Sequence, residues 1–194
     1  GMTTPDVFTV HSNLALIEQQ DGQAVAMEVS SHGLDQGRVD GVYFHTALIT
    51  NLTRDHLDYH GDMQAYGAAK KKLFQRPELQ CAVLNADDSF TYGLRQELSA
   101  GINCVTYSTQ SANADVWVED ASYHSQGVSG VIHSPSGEQE FACSLLGPFN
   151  LSNVLGVIAL LGAWDYPLAD ILAQVKKSIP VPGRMQIITG NGPL

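Results

Sequence analysis

The densest group of chemically capable residues is one stretch, Thr53-Arg54-Asp55-His56-Leu57-Asp58-Tyr59-His60. It directly follows an apolar segment, and in open parallel sheets ligands collect where the strands end. Its two imidazoles and two carboxylates could bind a metal ion or act as an acid and base pair. A solvated surface loop has the same composition, so the stretch alone leaves both interpretations open. His60 precedes a glycine and is interpreted as a turn residue rather than a ligand.

Glu28 and Lys70 are two further candidates, because each places a charge among apolar neighbours. Glu28 interrupts the apolar run Ala24–Val29, so it either emerges into solvent or lies near a cation or hydrogen-bond donors. Lys70 shares one helical stripe with Tyr66 and Leu73 and is expected to point inward. Such a lysine either extends its amine to water or loses its charge and reacts as a neutral amine.

Three polar residues stand out in the second half of the chain. Asn150 and Asn153 bracket the start of an apolar helix, where we expect at least one of them to cap exposed N–H groups. Arg184 follows Pro182-Gly183 and could reach a phosphate or ribose. A lone arginine in a turn is ordinarily a surface residue, so this second interpretation also stays open.

The elements that must position these residues alternate between helices and strands. From about Asp115 to Leu145, Ser-Gln-Gly and Pro-Ser-Gly turns separate alternating segments, which is typical of antiparallel hairpins. We therefore expect an α/β fold, a mostly parallel sheet flanked by helices with a small antiparallel β subregion at about 115–145. The predicted elements are a helix from the N-cap Thr4 to about Asp21, strands at Ala24–Val29 and Val42–Leu52 around a polar loop Ser30–Gly33, a helix at 63–74, a strand at 82–84, a modest helix, a strand at 104–107, helices at 151–164 and 168–178, and a last strand near Met185.

Composition and charge exclude several classes of protein. The 194 residues carry a formal net charge of -10, so the surface as a whole repels nucleic acid and anionic lipid. No apolar run is long enough to span a bilayer and no export leader opens the sequence, so no membrane partner is expected. The three cysteines are widely spaced, which indicates neither disulfides nor a zinc site and favours a reducing cytoplasm.

Three stretches together resemble the Mur ligase family. They are Met27-Glu28-Val29-Ser30-Ser31-His32-Gly33-Leu34, then Asn51 through Gly61, then Tyr66-Gly67-Ala68-Ala69-Lys70. Further matches at 84–88, 147–153 and 183–185 stand in the family's order, so the resemblance runs from about residue 3 to residue 188. Within the family the chain most resembles members that add the third residue of the cell-wall stem peptide. The resemblance implies a central, ATP-binding domain of P-loop-NTPase-like fold.

The resemblance also implies a reaction and a set of site residues. ATP would phosphorylate a substrate carboxylate, and an amine would attack the acyl phosphate, with two Mg²⁺ ions spreading the phosphoryl charge. Glu28 and His56 would hold the two ions, and Lys70 would carry a carbamate as an oxygen ligand. The remaining matches are Thr3, Thr4, Ser30, Gln36 and Arg38 for UDP-N-acetylmuramoyl-L-alanyl-D-glutamate, and Asn153 with Arg184 for adenine and ribose.

The sequence also departs from the family's pattern. A Gly-rich Walker A loop ending in Gly-Lys-Thr is expected before Thr3 and does not occur. Neither the uridine-binding N-terminal domain nor the C-terminal domain that binds the incoming amino acid is matched. We therefore expect residues 1–194 to be a central-domain fragment that is inactive alone and self-associates through sheet surface left exposed. Overall likeness favours meso-diaminopimelate over lysine as the diamino acid.

Two other functions fit parts of the sequence. A metal-dependent hydrolase built on His56, Asp58 and His60 would bind zinc tightly and turn over without further domains. A nucleotide-sugar-binding module without catalysis would need no phosphate loop at all.

Overall fold

The computed structural model describes residues 3–180, which divide into two compact units. Arg184 and the strand predicted near Met185 lie outside the described residues. Within the described part, the first unit comprises residues 3–47, 52–82 and 96–102, and the second comprises 48–51, 83–95 and 103–180.

Four helices form most of the first unit: α1 (Val7–Gln19), α2 (Ser31–Asp35), α3 (Leu57–His60) and α4 (Met63–Lys71). Asp6 caps α1, since its carboxylate accepts a hydrogen bond from the Thr9 backbone N–H at 3.0 Å. The predicted N-cap at Thr4 was therefore wrong. The Thr4 hydroxyl is fully buried and is used elsewhere, because it donates to the Glu28 carbonyl and accepts from the Ser30 N–H.

Two sequence predictions between α1 and α2 were wrong. Ala24–Val29 was predicted to be a buried strand, but it is irregular and mostly exposed, with Met27 and Val29 partly buried against a small core. Among the described residues the sheet contains no strand beside it, and an apolar run without a hydrogen-bonding neighbour does not form a strand. The predicted loop Ser30–Gly33 instead begins α2, because the Ser30 hydroxyl caps the Gly33 N–H at 3.0 Å.

Six strands of the described chain hydrogen-bond in their sequence order, β1-β2-β3-β4-β5-β6. Strands β3 and β4 pair in parallel, whereas β4, β5 and β6 pair antiparallel. This arrangement confirms the predicted α/β fold and the antiparallel subregion at about 115–145. The strands are β1 (Thr46–Ile49), β2 (Cys81–Asn85), β3 (Asn103–Ser108), β4 (Val116–His124), β5 (Gly127–Ser134) and β6 (Gly137–Cys143), and α5 (Ser89–Glu97) lies between β2 and β3 in the sequence.

Two apolar helices cover one face of the sheet in the second unit, α6 (Pro148–Gly162) and α7 (Leu168–Val175). Gly156 lets α6 approach β3 closely, because a Cβ there would lie 3.2 Å from Cζ of the buried Tyr107. Neither asparagine caps α6, contrary to expectation. The helix begins at Pro148 after Gly147, whose φ of 84° favours glycine, so Asn150 already lies inside the first turn.

None of the helices formed by residues 3–180 combines the length and apolar character needed to cross a bilayer.

Candidate active site

Five aromatic side chains of the first unit form a histidine–tyrosine cluster: His32, His56, Tyr59, His60 and Tyr66. The ring centres of His32 and Tyr59 are 4.1 Å apart, and those of His32 and His56 are 5.0 Å apart. His60 stacks on Tyr66 at 5.4 Å, and His56 meets the same tyrosine edge-on at 5.7 Å. The dense stretch found in the sequence therefore folds around two aromatic residues outside it, one on α2 and one on α4.

The backbone of His56 adopts a conformation that is uncommon for a residue other than glycine. His56 has φ 56° and ψ 24°, in the left-handed region, and stands as the N-cap of α3. The Asp55 carboxylate stabilises this geometry by accepting the His56 backbone N–H at 2.8 Å. Such positions are enriched at functional sites, which agrees with the choice of this imidazole as a candidate ligand from the sequence.

Lys70 lies on α4, one turn beyond Tyr66, and its amine stands 5.6 Å from the centre of the Tyr66 ring. Burial lowers the pKa of this amine, while the charges of Glu28 and Asp55 act to raise it. The structure therefore turns Lys70 inward as the sequence predicted. It also brings the lysine within electrostatic reach of Glu28, although the Glu28 side chain is itself exposed.

The donors around Lys70 suit magnesium better than zinc. Among residues 3–180, no three His, Cys, Asp or Glu side chains converge closely enough to hold a metal ion by themselves. Magnesium is usually held by one or two carboxylates together with water and phosphate oxygens, so the exposed Glu28 carboxylate fits it. Tight structural or catalytic zinc needs at least three protein ligands.

His60 contacts other side chains of the first unit. Its Nε2 lies 2.9 Å from the Ser31 hydroxyl, and burial, followed by the nearby His32, lowers the pKa of its imidazole. His60 is the last residue of α3 and is followed by Gly61 with φ 83°, which agrees with its interpretation as a turn residue. A zinc hydrolase on His56, Asp58 and His60 would need these side chains to converge, and they do not form such a group.

A chain of hydrogen bonds extends from this cluster and includes three of the predicted substrate residues. Arg38 donates through Nε to the Gln36 side-chain oxygen at 2.9 Å, and through Nη1 to the Thr4 carbonyl at 2.9 Å. The Gln36 amide donates to the Tyr59 hydroxyl at 3.1 Å, and that hydroxyl donates to Asp35 at 3.1 Å. Sequence reasoning gave Asp35 and Tyr59 no role, although Tyr59 stands in the stretch that it singled out.

The other predicted ligand residues have mixed surroundings. Thr3 is exposed, while the hydroxyls of Thr4 and Ser30 already have partners within the first unit. Asn153 is exposed on α6 in the second unit, where its amide is accessible. The roles assigned to these residues by resemblance stay predictions.

Asp87 organises the loop that follows β2 in the second unit. Its carboxylate accepts hydrogen bonds from the Thr109 N–H and hydroxyl, both at 2.8 Å, and from the Ser108 hydroxyl. The Asn85 side-chain oxygen in turn accepts the Asp87 N–H at 3.0 Å. These contacts join the ends of β2 and β3, so the match of residues 84–88 to the family's pattern has a structural explanation.

A cavity of about 430 Å³ opens elsewhere in the second unit. Its walls come from the start of β3, the start of β4, the turn between β5 and β6, and the facing ends of α6 and α7, with Cys104, Asp115, Ile158 and Leu168 among the lining residues. None of the predicted site residues lines it, so it plays no part in the predicted chemistry.

Comparisons with known proteins find one ligase family along nearly the whole chain. The sequence matches the Mur ligase middle domain over residues 1–161. It is 47% identical over 189 residues to the UDP-N-acetylmuramoyl-L-alanyl-D-glutamate–2,6-diaminopimelate ligase of Ectopseudomonas mendocina, covering 97% of this chain and 39% of that protein. The ligase of the same name from Xylella fastidiosa is 44% identical over 192 residues, covering 98% of this chain and 39% of that protein.

A solved structure of a ligase with that name superposes with a TM-score of 0.88 at 34% identity, covering 97% of this chain and 39% of the other. The chain thus spans about 39% of the length of the curated relatives that it matches. The match extends over the stretches that hold Glu28, His56 and Lys70, and the chain belongs to the Mur ligase middle domain family.

Proposed function

We propose that this chain is the ATP-binding part of a ligase that joins meso-diaminopimelate to UDP-N-acetylmuramoyl-L-alanyl-D-glutamate. The observation that carries the proposal is the position of Lys70, an inward amine whose pKa burial lowers, next to Tyr66 and near Glu28. His56 contacts the same tyrosine from another direction. The charge of Glu28 acts on Lys70, and His56 contacts the tyrosine beside Lys70, which supports assigning the three residues to one site.

The lowered pKa prepares Lys70 for carbamylation. The ammonium form first gives one proton to solvent, and the neutral amine then attacks the carbon of carbon dioxide. An N–C bond forms as one C–O π bond opens, and the nitrogen loses a second proton to solvent, which leaves an anionic carbamate. Burial favours this exchange because it destabilises the ammonium form, and Tyr66 stays a neutral phenol because burial raises its pKa. The product is an oxygen ligand of the kind that Mg²⁺ prefers.

Glu28 and His56 complete the proposed metal-binding set. Bound Mg²⁺ ions would neutralise phosphate charge while the substrate carboxylate is phosphorylated and then attacked by the incoming amine. The exposed Glu28 carboxylate is free to bind an ion together with water and phosphate oxygens. The Asp55 carboxylate accepts the His56 backbone N–H, and the same oxygen lies 3.6 Å from Nδ1 of the imidazole.

The free charge of Arg38 supports the proposal that an anionic substrate binds in the first unit. The hydrogen bonds of its guanidinium group go to neutral oxygens, those of Gln36 and Thr4, and within residues 3–180 no carboxylate forms an ion pair with it. Its positive charge therefore stays available for an anionic group. We assign Thr3, Thr4, Ser30, Gln36 and Arg38 to the uridine-linked substrate, and Asn153 with Arg184 to adenine and ribose.

The whole ligase needs more than this segment. The relatives are longer than this chain, and we propose that other parts of the full protein bind the uridine, the triphosphate and the amino acid. We expect the 194 residues alone to be catalytically inactive, to bind no nucleic acid and to self-associate through uncovered sheet surface. The full protein would work in the cytoplasm, where its nucleotide substrates are found.

A ligation assay on the full-length gene product tests the proposal. ATP, Mg²⁺ and UDP-N-acetylmuramoyl-L-alanyl-D-glutamate are supplied with either meso-diaminopimelate or lysine, and both ADP and the tripeptide product are measured. The proposal predicts one product and one ADP per turnover with meso-diaminopimelate. Product formed only with lysine would show that lysine, rather than meso-diaminopimelate, is the amino acid added. No product with either amino acid would overturn the proposed function.

A matched pair of lysine variants assigns the activity to the site. Lys70→Ala is expected to abolish ligation, whereas Lys176→Ala, at an exposed position just after α7, is expected to leave it unchanged. Equal activity of both variants would contradict the role of Lys70.

A further inference from the structure

We propose that Tyr59 and Asp35 are positioning residues, which hold the Gln36 side chain in the orientation that presents Arg38 to the nucleotide substrate. This inference rests on the proposed function, because it concerns how that substrate is held. It assigns roles to two residues for which the resemblance to the family implied none.

The donor and acceptor chemistry of the chain of hydrogen bonds allows only one direction. A guanidinium group can only donate, so the Gln36 side-chain oxygen must face Arg38, where both Nε and Nη2 point at it. The Gln36 amide nitrogen must then face Tyr59, whose hydroxyl accepts it at 3.1 Å. No flipped amide would satisfy both neighbours.

The same logic fixes the proton of Tyr59. Because its oxygen accepts from Gln36, its proton is free to go to Asp35, whose Oδ2 lies at 3.1 Å. The other oxygen of Asp35 accepts from the Lys72 ammonium at 2.7 Å. Asp35 is therefore linked to Lys72 just after α4 as well as to the phenol, and the order runs from Lys72 through Asp35, Tyr59 and Gln36 to Arg38.

The chain of hydrogen bonds links three separate parts of the first unit. Asp35 ends α2, Tyr59 lies on α3, and Lys72 follows α4. At its far end Arg38 is also tied to the Thr4 carbonyl at 2.9 Å. Tyr59 is in addition packed against His32 on α2, with ring centres 4.1 Å apart, which restricts its ring. The position of the Arg38 guanidinium thus depends on side chains that need not touch the substrate.

Removing the phenol hydroxyl would free Gln36 without removing any substrate contact. Without Tyr59 as acceptor, the Gln36 amide loses one of its two fixed ends and can rotate away from Arg38. The guanidinium then samples more orientations, and the substrate must order it on binding. The expected result is weaker binding of the nucleotide substrate with little change in the chemical step.

The test uses Tyr59→Phe and Asp35→Asn in the full-length protein. Calorimetric Kd and steady-state KM for UDP-N-acetylmuramoyl-L-alanyl-D-glutamate are expected to rise about threefold to tenfold, the effect of losing one ordinary hydrogen bond. The kcat and the KM for ATP should stay within about twofold of wild type, since nothing in the chemical step is removed. The control is Tyr43→Phe, at a tyrosine of the same unit that is 85% exposed, and no change is expected there.

The double variant Tyr59→Phe/Asp35→Asn distinguishes one chain of hydrogen bonds from two independent contacts. The combined loss of affinity should be no larger than that of the stronger single variant, because each change breaks the same chain. An unchanged Kd in both single variants, or a fall in kcat and in melting temperature that accompanies a parallel rise in both KM values, would overturn the proposal. Wild-type turnover decides the proposed function separately, because Kd is measured without any reaction.

Discussion

The Lys70 amine stands 5.6 Å from the centre of the Tyr66 ring, one turn away on the same helix, and is partly buried there. Burial lowers the pKa of this amine even though Glu28 and Asp55 act in the opposite direction. Placing Lys70 here therefore lowers the free energy of unfolding, because its ammonium group is more favourably solvated in water. An inward lysine of this kind is expected where its chemistry, rather than its charge, is used.

Lys70→Met should separate function from stability. Turnover of the full-length protein is expected to fall about a hundredfold or more, the usual effect of removing a group that stabilises developing charge. The melting temperature should stay level or rise, because a partly buried cation is replaced by an apolar side chain of similar length. Thermal unfolding and a ligation assay on the same preparation check both parts. A large loss of stability together with normal turnover would contradict the assignment.

His56→Gly and His56→Ala form a matched pair. Both remove the imidazole, so both should lower turnover by about tenfold to a hundredfold, as expected for weakening a metal site. They should differ in stability, because φ is 56° at this position and glycine adopts that conformation more easily than alanine. We expect the glycine variant to be more stable by about 1 kcal/mol in urea unfolding. Equal stability of the two would argue against backbone strain, and normal turnover would remove His56 from the site.

Sequence periodicity predicted the elements whose signals are local. The stripe through Tyr66 placed Lys70 inward, and the turns at about 115–145 gave the hairpins of β4, β5 and β6. These predictions were right because the residues that decide them lie within one helix or within one pair of strands. The same holds for α1, apart from its cap.

The errors arose where a distant partner decides the structure. Ala24–Val29 has the composition of a buried strand, but composition does not supply a hydrogen-bonding neighbour. The Thr4 hydroxyl is drawn to Glu28 and Ser30, more than twenty positions away, which leaves the capping of α1 to Asp6. The contacts of His32 with His56 and of Gln36 with Tyr59 also join residues that are far apart in sequence. Residue spacing therefore could not predict them.

Asp87→Ala should destabilise the chain markedly. The change leaves the Thr109 N–H and the hydroxyls of Ser108 and Thr109 without their acceptor in a partly buried place. The expected loss in the free energy of unfolding is about 2 to 3 kcal/mol, the penalty for unsatisfied buried donors. Asp87→Asn keeps one acceptor oxygen and should lose less. If urea unfolding gives the same stability for both variants and wild type, the network has no structural role.

The carboxyl of Asp35 should make stability depend on pH in the acid range. Hydrogen bonds from Lys72 first, and then from Tyr59, lower the pKa of Asp35 below its ordinary value of 3.8. The folded state therefore binds the proton less readily than the unfolded state. The stabilisation is fully present above pH 3.8 and is lost as pH falls through the lowered pKa. Asp35→Asn lacks this contribution, so the stability difference from wild type should shrink on acidification, and a difference independent of pH would contradict it.

The most direct measurement of the central claim asks whether the Lys70 carbamate touches the metal ion beside ATP. The full-length protein is prepared with Mn²⁺ in place of Mg²⁺, with an ATP analogue and with ¹³C-bicarbonate, and electron–nuclear double resonance is recorded. The proposed site predicts a ¹³C coupling to Mn²⁺ that is present in wild type and absent in Lys70→Met, with weaker Mn²⁺ binding in Glu28→Gln. A wild-type spectrum without ¹³C coupling, at saturating bicarbonate and with Mn²⁺ bound, would contradict it.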